Sequence, residues 1–176
     1  RPNVCWSMDF VADSLFNGQR FRALTVVDNY SRECLAIEAG QSMTGKDVAS
    51  VIERLARERG APERIQSDNG SEFISRAMDK WAYDHGIVMD FSRPGKPMDN
   101  ATVESFNGSF RDECLNVNWF LSMEDAREKI EKWRRDYNEF RPHSSLGGLT
   151  PQQFVDKYKT SIRSQKTPFL AGSVFG

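Results

Sequence analysis

Three carboxylates in the chain have the types and the spacing that phosphoryl-transfer chemistry requires. Asp68 lies in the turn-forming string of residues 67–70, and Glu104 follows it with 35 residues between the two. The third acid, Asp9, lies inside the apolar run of residues 4–11, where a carboxylate is costly to bury unless a positive charge meets it. Two magnesium ions held by carboxylates can activate an attacking oxygen and stabilise a leaving one. The three acids therefore indicate a Mg²⁺ or Mn²⁺ site that cuts or joins a nucleic-acid backbone.

The strings around these acids are more specific than the acids themselves, because 25 acidic residues allow many chance triples. Residues 26–32 read VVDNYSR, residues 99–104 read DNATVE, and residues 137–146 read YNEFRPHSSL. Together with the 35-residue gap, these strings resemble the catalytic chain of a large family of insertion-sequence transposases, which belongs with the retroviral integrases to the DDE transposase superfamily. The resemblance extends over roughly residues 3–158.

This resemblance implies DNA cleavage and strand transfer at a single site. Water first frees a 3′-hydroxyl at the element end, and that hydroxyl then attacks target DNA. Asp9, Asp68 and Glu104 would form the catalytic triad and would hold two Mg²⁺ or Mn²⁺ ions, with Asp9 on a central strand as the bridge. We expect DNA as the partner, both as element ends and as target, and a homo-oligomer because two ends react together. The residues alone imply only metal-assisted phosphoryl transfer.

Two other functions fit part of this pattern. A nuclease of the same fold would hydrolyse RNA–DNA hybrids or branched DNA without strand transfer, but the string at residues 141–146 favours a transposase. A non-catalytic transposase relic would keep the fold as an interaction module, and the presence of all three acids counts against it. A strand-transfer assay with matched element ends distinguishes the two enzymes.

Five further side chains are candidate DNA contacts, namely Lys96, Asn107, Arg111, Arg141 and His143. Asn107 and Arg111 follow Glu104 by three and seven positions, so a helix places all three on nearly one face. The resemblance also implies a basic residue at position 111. The alternatives are a solvated loop lysine at 96, an arginine at 111 that pairs with a neighbouring acid, and a structural histidine at 143.

Charge and composition indicate how strongly the chain binds DNA and in which part of the cell it acts. The 176 residues carry a net charge of −1, so we expect weak, salt-sensitive and nearly sequence-blind DNA binding. Recognition of element ends should then need a separate domain upstream of Arg1. The chain begins at Arg1 and not at a methionine, which indicates a longer protein. No apolar run approaches the ~20 residues of a membrane span, and two histidines argue against a His/Cys zinc module. We expect a bacterial cytoplasmic protein that associates with the nucleoid when it acts.

The elements that must position these groups follow from the hydrophobic pattern. Alternating apolar residues predict three antiparallel strands, after which helices and strands alternate. This order predicts an α/β fold with a mixed five-stranded sheet and helices on both faces. It is similar to the ribonuclease-H-like fold that the family resemblance implies. Residues 1–159 would form an integrase-type catalytic core, and residues 160–176 a C-terminal tail.

Several local features should support this arrangement. Residues 92–100 contain two prolines and a glycine and are expected to form a mobile loop before the Glu104 helix. Asp28 is expected to accept hydrogen bonds from backbone N–H groups of a turn, and residues 99–100 to cap the Glu104 helix. An earlier helix is expected to begin at residue 71 or 72.

Overall fold

A mixed sheet forms the centre of the molecule. The computed structural model describes residues 1–93, 95–96 and 100–166, and five strands lie within them. They are β1 (Cys5–Ser14), β2 (Arg20–Asp28), β3 (Cys34–Gly40), β4 (Arg64–Ser67) and β5 (Val88–Phe91). The strand order is β3-β2-β1-β4-β5. β2 is antiparallel to both β1 and β3, whereas β4 is parallel to β1 and β5 is parallel to β4. The predicted five-stranded mixed sheet is confirmed.

Helices cover both faces of the sheet, as predicted. The α-helices in the described part of the chain are α1 (Gly45–Arg59), α2 (Arg76–His85), α3 (Ala101–Phe110), α4 (Met123–Phe140) and α5 (Pro151–Lys166). α1 and α2 pack on one face, and α3 and α4 pack on the other. α3 continues into a π-helical turn, Arg111–Leu115. Across the described residues, none of the helices combines the length and the apolar character that crossing a membrane requires.

β1 separates two apolar cores, because successive side chains of a strand point to opposite faces. Trp6 and Met8 are fully buried against the residues of α1 and α2, whereas Val11 is buried in the core that includes α3 and α4. Asp9 shares the parity of Val11, so its side chain is directed towards α3. A central strand can therefore carry an acid beside a helix without placing it in the α1–α2 core.

α2 begins later than the sequence indicated. The expected start at residue 71 or 72 is wrong, because the Phe73 amide donates to the Gly70 carbonyl and forms a turn instead. The side chain of Ser75 then caps the helix. The segment after Asp68 is therefore a turn that leads into α2, not the first turn of α2 itself.

The last helix is longer than expected, and it runs to Lys166. The first part of the segment expected to be a tail is therefore helical, while the division of the chain at residue 159 remains a prediction. Pro94 and residues 97–99 lie outside the described residues. The expectations for the loop at 92–100, and for a cap at Asp99, accordingly stay predictions.

The turn between β2 and β3 depends on Asp28, as predicted. This carboxylate is 0% exposed. It accepts hydrogen bonds from the amides of Tyr30 and Ser31, each at 2.9 Å, and from the amide of Asn3 at 2.6 Å. Because these groups are satisfied by one side chain, Asp28 joins the turn to the segment that precedes β1.

Replacing Asp28 tests this structural role. We expect Asp28→Ala to lower the free energy of unfolding by about 2–3 kcal/mol, because it leaves buried N–H groups without an acceptor. Asp28→Asn keeps one carbonyl oxygen and should cost less. Urea denaturation followed by circular dichroism measures both, and an Asp28→Ala variant as stable as the parent chain would contradict the assignment.

Candidate active site

The register of β1 and β4 places two of the predicted carboxylates side by side. Trp6 lies opposite Ile65, and Ser7 lies opposite Gln66. The same register, continued past the end of β4, sets Asp68 beside Asp9. Because β4 ends at this point, the flank of β1 next to Asp9 is open, and the Asp9 side chain is only partly buried.

The third carboxylate approaches from α3. Val103, Phe106 and Phe110 anchor this helix in the core against β1 and β2, while Glu104 lies exposed in its first turn. Burial raises the pKa of Asp9 to about 6, and the negative charges of Asp68 and Glu104 add to this effect. Asp68 and Glu104 therefore both lie within electrostatic reach of Asp9.

A divalent cation would relieve this repulsion, and the donor set fits one. Carboxylate oxygens are the ligands that Mg²⁺ prefers. The Asp68 carboxylate is oriented by a hydrogen bond from the Gly70 amide at 2.8 Å. Across the residues that the structure describes, however, no three His, Cys, Asp or Glu side chains are grouped closely enough to hold a metal ion. Glu104 is the exposed member on a helix, so its side chain can move to complete such a group.

A hydrogen-bond network that the sequence did not predict orients Asp9. The Asn107 side-chain amide donates to the Asp9 carboxylate at 3.1 Å, and the Asn107 carbonyl accepts from the Thr25 hydroxyl at 2.9 Å. The amide of Phe10 donates to the other Asp9 oxygen at 2.8 Å. Thr25 is fully buried and lies opposite Asp9 across β1 and β2. A polar residue within the apolar β2 run was the available sequence signal.

The candidate DNA contacts divide into two groups. Asn107 and Arg111 lie on the α3 face that carries Glu104, and Arg111 donates to the Ala12 carbonyl at 2.6 Å, not to a neighbouring acid. Lys96 is exposed between β5 and α3.

Arg141 and His143 instead line a pocket, together with residues of α3 that include Ser105 and Ser109. Arg141 forms an ion pair with Glu113 at 2.9 Å. Burial, and then the charges of Arg141 and Arg32, lower the pKa of His143. Two of the five candidates therefore line a pocket whose described lining includes none of Asp9, Asp68 and Glu104.

The predicted cap of α3 is wrong for Asn100. This residue occupies the N-cap position, but its side chain makes no capping hydrogen bond and its Oδ1 atom is buried without a partner. The backbone of Asn100, at φ −134° and ψ 32°, departs from the extended conformation typical of a capping residue. The first turn of α3 therefore keeps amide groups that the Asn100 side chain does not satisfy.

Comparison with known proteins gives relatives from bacterial insertion elements. A protein of insertion element IS407 from Burkholderia multivorans is 48% identical over 160 residues, which are 91% of this chain and 58% of that protein. The transposase InsF of insertion sequence IS3A from Escherichia coli is 30% identical over 159 residues, covering 89% of this chain and 55% of that protein. The chain thus spans little more than half the length of these relatives.

The fold and the family follow from two further matches. The catalytic core domain of HTLV-2 integrase, solved in complex with magnesium in a trimeric form, aligns with a TM-score of 0.66 at 19% identity over 87% of this chain and 96% of that one. This likeness confirms the ribonuclease-H-like fold. Two family models described as integrase core domain match residues 1–97 and 85–151. The chain therefore belongs to the integrase core domain family, and its relatives come from bacterial insertion elements.

Proposed function

We propose that this chain is the catalytic core of a transposase that cleaves DNA to free 3′ ends and transfers them to target DNA, with Asp9, Asp68 and Glu104 as its catalytic residues. The observation that carries the proposal is the β1–β4 register, which brings Asp9 next to Asp68 with Glu104 in electrostatic reach. A carboxyl group with a raised pKa, such as that of Asp9, is typical of a functional site. Membership of the integrase core domain family supports the same reaction class.

The three carboxylates would hold two Mg²⁺ or Mn²⁺ ions. When bound, the ions supply activation of the attacking oxygen and stabilisation of the leaving oxygen. Asp9 is held by the Phe10 amide and by Asn107, and Asp68 is held by the Gly70 amide, so both present oriented oxygens. Glu104 has no such restraint from a described residue. We infer that its approach to the two aspartates completes the site.

The surroundings of the acids are suited to binding a DNA backbone. Lys96 precedes α3 and Arg111 directly follows it, so both supply positive charge next to the Glu104 helix in the chain. Asn107 is a further candidate contact once the site is occupied. Element ends and target DNA would be the partners, with end recognition by an upstream domain. A homo-oligomer would hold two ends, in line with the trimeric form named for the HTLV-2 integrase core. A bacterial cytoplasmic protein associated with the nucleoid fits this activity.

Asp68→Asn tests the catalytic assignment. We expect cleavage of end-bearing DNA in Mn²⁺ to fall by about 100-fold or more, since one ligand charge is lost from the site, while the circular dichroism spectrum stays unchanged. Asp84→Asn is the matched control, because Asp84 is a surface acid paired with Lys80. Full cleavage by the Asp68→Asn variant would contradict the proposal. Cleavage by the parent chain without any joined product would indicate the nuclease of the same fold.

Asn107 and Thr25 are proposed as positioning residues for Asp9. Thr25→Val or Asn107→Ala should weaken Mn²⁺ binding by about 10-fold, because groups that orient a metal ligand typically have effects of this size. Thr25→Ser keeps the hydroxyl and should restore most of the affinity. Calorimetric titration with Mn²⁺ in the absence of DNA measures this effect. Unchanged affinity in both variants would limit the network to a packing role.

The raised pKa of Asp9 predicts how stability changes with pH. The folded chain without metal keeps the Asp9 proton to about pH 6, above the ordinary value of 3.8, so its contribution to stability is present at low pH and is lost as the pH rises from about 4 to about 6. Asp9→Asn should therefore raise the Tm of the metal-free chain by about 2–4 °C at pH 7.5 and by less at pH 4.5. Mg²⁺ should stabilise only the parent chain, and mainly above pH 6. Thermal unfolding measures both effects, and a pH-independent difference between the chains would contradict the assignment.

A further inference from the structure

A polar pocket lies beside α3, away from the three carboxylates. Its volume is about 330 Å³. At about 100° per residue, Ser105 and Ser109 are between a third and a half of a turn around α3 from the face of Glu104 and Asn107. The side chains that matter here are Arg32, Ser105, Ser109, Arg141 and His143. None of the described residues that line the pocket is a carboxylate.

The pocket has a surplus of positive charge. Arg32 donates to the Thr102 hydroxyl at 2.8 Å, and no carboxylate of the described residues forms an ion pair with it. The lowered pKa of His143, which reflects burial and both arginines, keeps the imidazole neutral in this field. Its Nε2 atom is buried without a hydrogen-bond partner. The pocket therefore has a positive potential that no carboxylate among its described lining residues neutralises.

The backbone of Arg32 supports a functional role for its side chain. Arg32 has φ +62°, in the left-handed region, which costs about 1–2 kcal/mol for a residue other than glycine. Its amide donates to the Asp28 carbonyl at 3.0 Å, and this bond maintains the conformation. Such strain in a non-glycine residue is characteristic of functional sites. Here it directs a guanidinium group towards the first turn of α3, which the Asn100 side chain leaves uncapped.

We propose that this pocket binds a phosphate group of the DNA backbone, through Arg32, Arg141, the hydroxyls of Ser105 and Ser109, and His143. The inference rests on the proposed function for its choice of DNA over other phosphate sources. Guanidinium groups match the paired oxygens of a phosphodiester, and hydroxyl and imidazole groups add neutral donors. Because α3 also carries Glu104, a strand held here is connected to the acids by a single helix.

The ion pair between Arg141 and Glu113 does not prevent this binding. Both side chains are more than a third exposed, and an exposed pair of this kind contributes about 0–1 kcal/mol. A phosphate can therefore displace Glu113 from Arg141 at little cost. Glu113→Gln removes the competitor and should strengthen DNA binding.

The test is a salt titration of DNA binding in EDTA, which keeps catalysis out of the measurement. Arg32→Asn removes the charge while keeping a residue type that tolerates positive φ, and Arg141→Gln removes the second charge. Each should weaken binding of a scrambled duplex and lower the slope of log Kd against log salt by about 1. Arg135→Gln is the matched control, because it removes one exposed cation from another side of α4. Equal slopes for all three variants and the parent would overturn the proposal.

The source of the phosphate is distinguished by NMR of the His143 ring. Duplex DNA should shift this resonance in the parent chain and not in Arg32→Asn. A shift with inorganic phosphate alone, and none with DNA, would assign the pocket to a free phosphate and overturn the DNA assignment. Because cleavage is assayed separately in Mn²⁺, a chain that binds DNA here and cuts nothing would refute the proposed function and leave the pocket intact.

Discussion

The parallel pairing of β1 with β4 is the constraint on which the candidate site depends. Parallel strands have their carboxyl ends at the same edge of a sheet, so the short β4 releases the chain beside the middle of β1, where Asp9 lies. Two acids then meet at a point where water still reaches them. Had β4 extended further, Asp9 would be flanked by strands on both sides, and its charge would lose the solvent that makes it tolerable.

The three carboxylates differ in how firmly the surrounding residues hold them. Asp9 is held by backbone and side-chain donors and Asp68 by a turn amide, whereas Glu104 lies exposed on α3. Folding therefore does not have to overcome the full repulsion among the three carboxylates. Glu104 needs to approach the two aspartates only when a cation is present. The buried Thr25 belongs to the network that holds Asp9: it has no access to substrate, and its hydroxyl donates to the Asn107 carbonyl while the Asn107 NH₂ group donates to Asp9.

The sequence predicted the sheet and its helices, because strand alternation and helical periodicity report burial directly. The meeting of the three acids was instead an expectation from the family resemblance, and it stays a prediction. The predicted start of α2 was wrong because the side chain of Ser75 caps the helix, so the helix begins after Ser75 and not near the acidic residue Glu72. The sequence analysis did not predict the hydrogen-bond network around Asn107 or the pocket beside Arg32. Both depend on contacts between β2 or its turn and α3, some 70 to 80 residues apart in the chain, and on a backbone angle at Arg32 that its residue type does not favour.

The π-helical turn that follows α3 bears on how chains of this kind can change in length. Its bond from the Asn116 amide to the Arg111 carbonyl, at 2.9 Å, encloses one residue more than an α-helical turn. Deleting a residue there would restore ordinary helical bonding, but it would also rotate the buried Cys114 and Leu115 out of the core. The same deletion between Glu104 and Asn107 would rotate one against the other by about 100°. The number of residues is therefore constrained at both ends of this helix, by the core at the π-helical turn and by the position of Asn107 beside Asp9 at the other end.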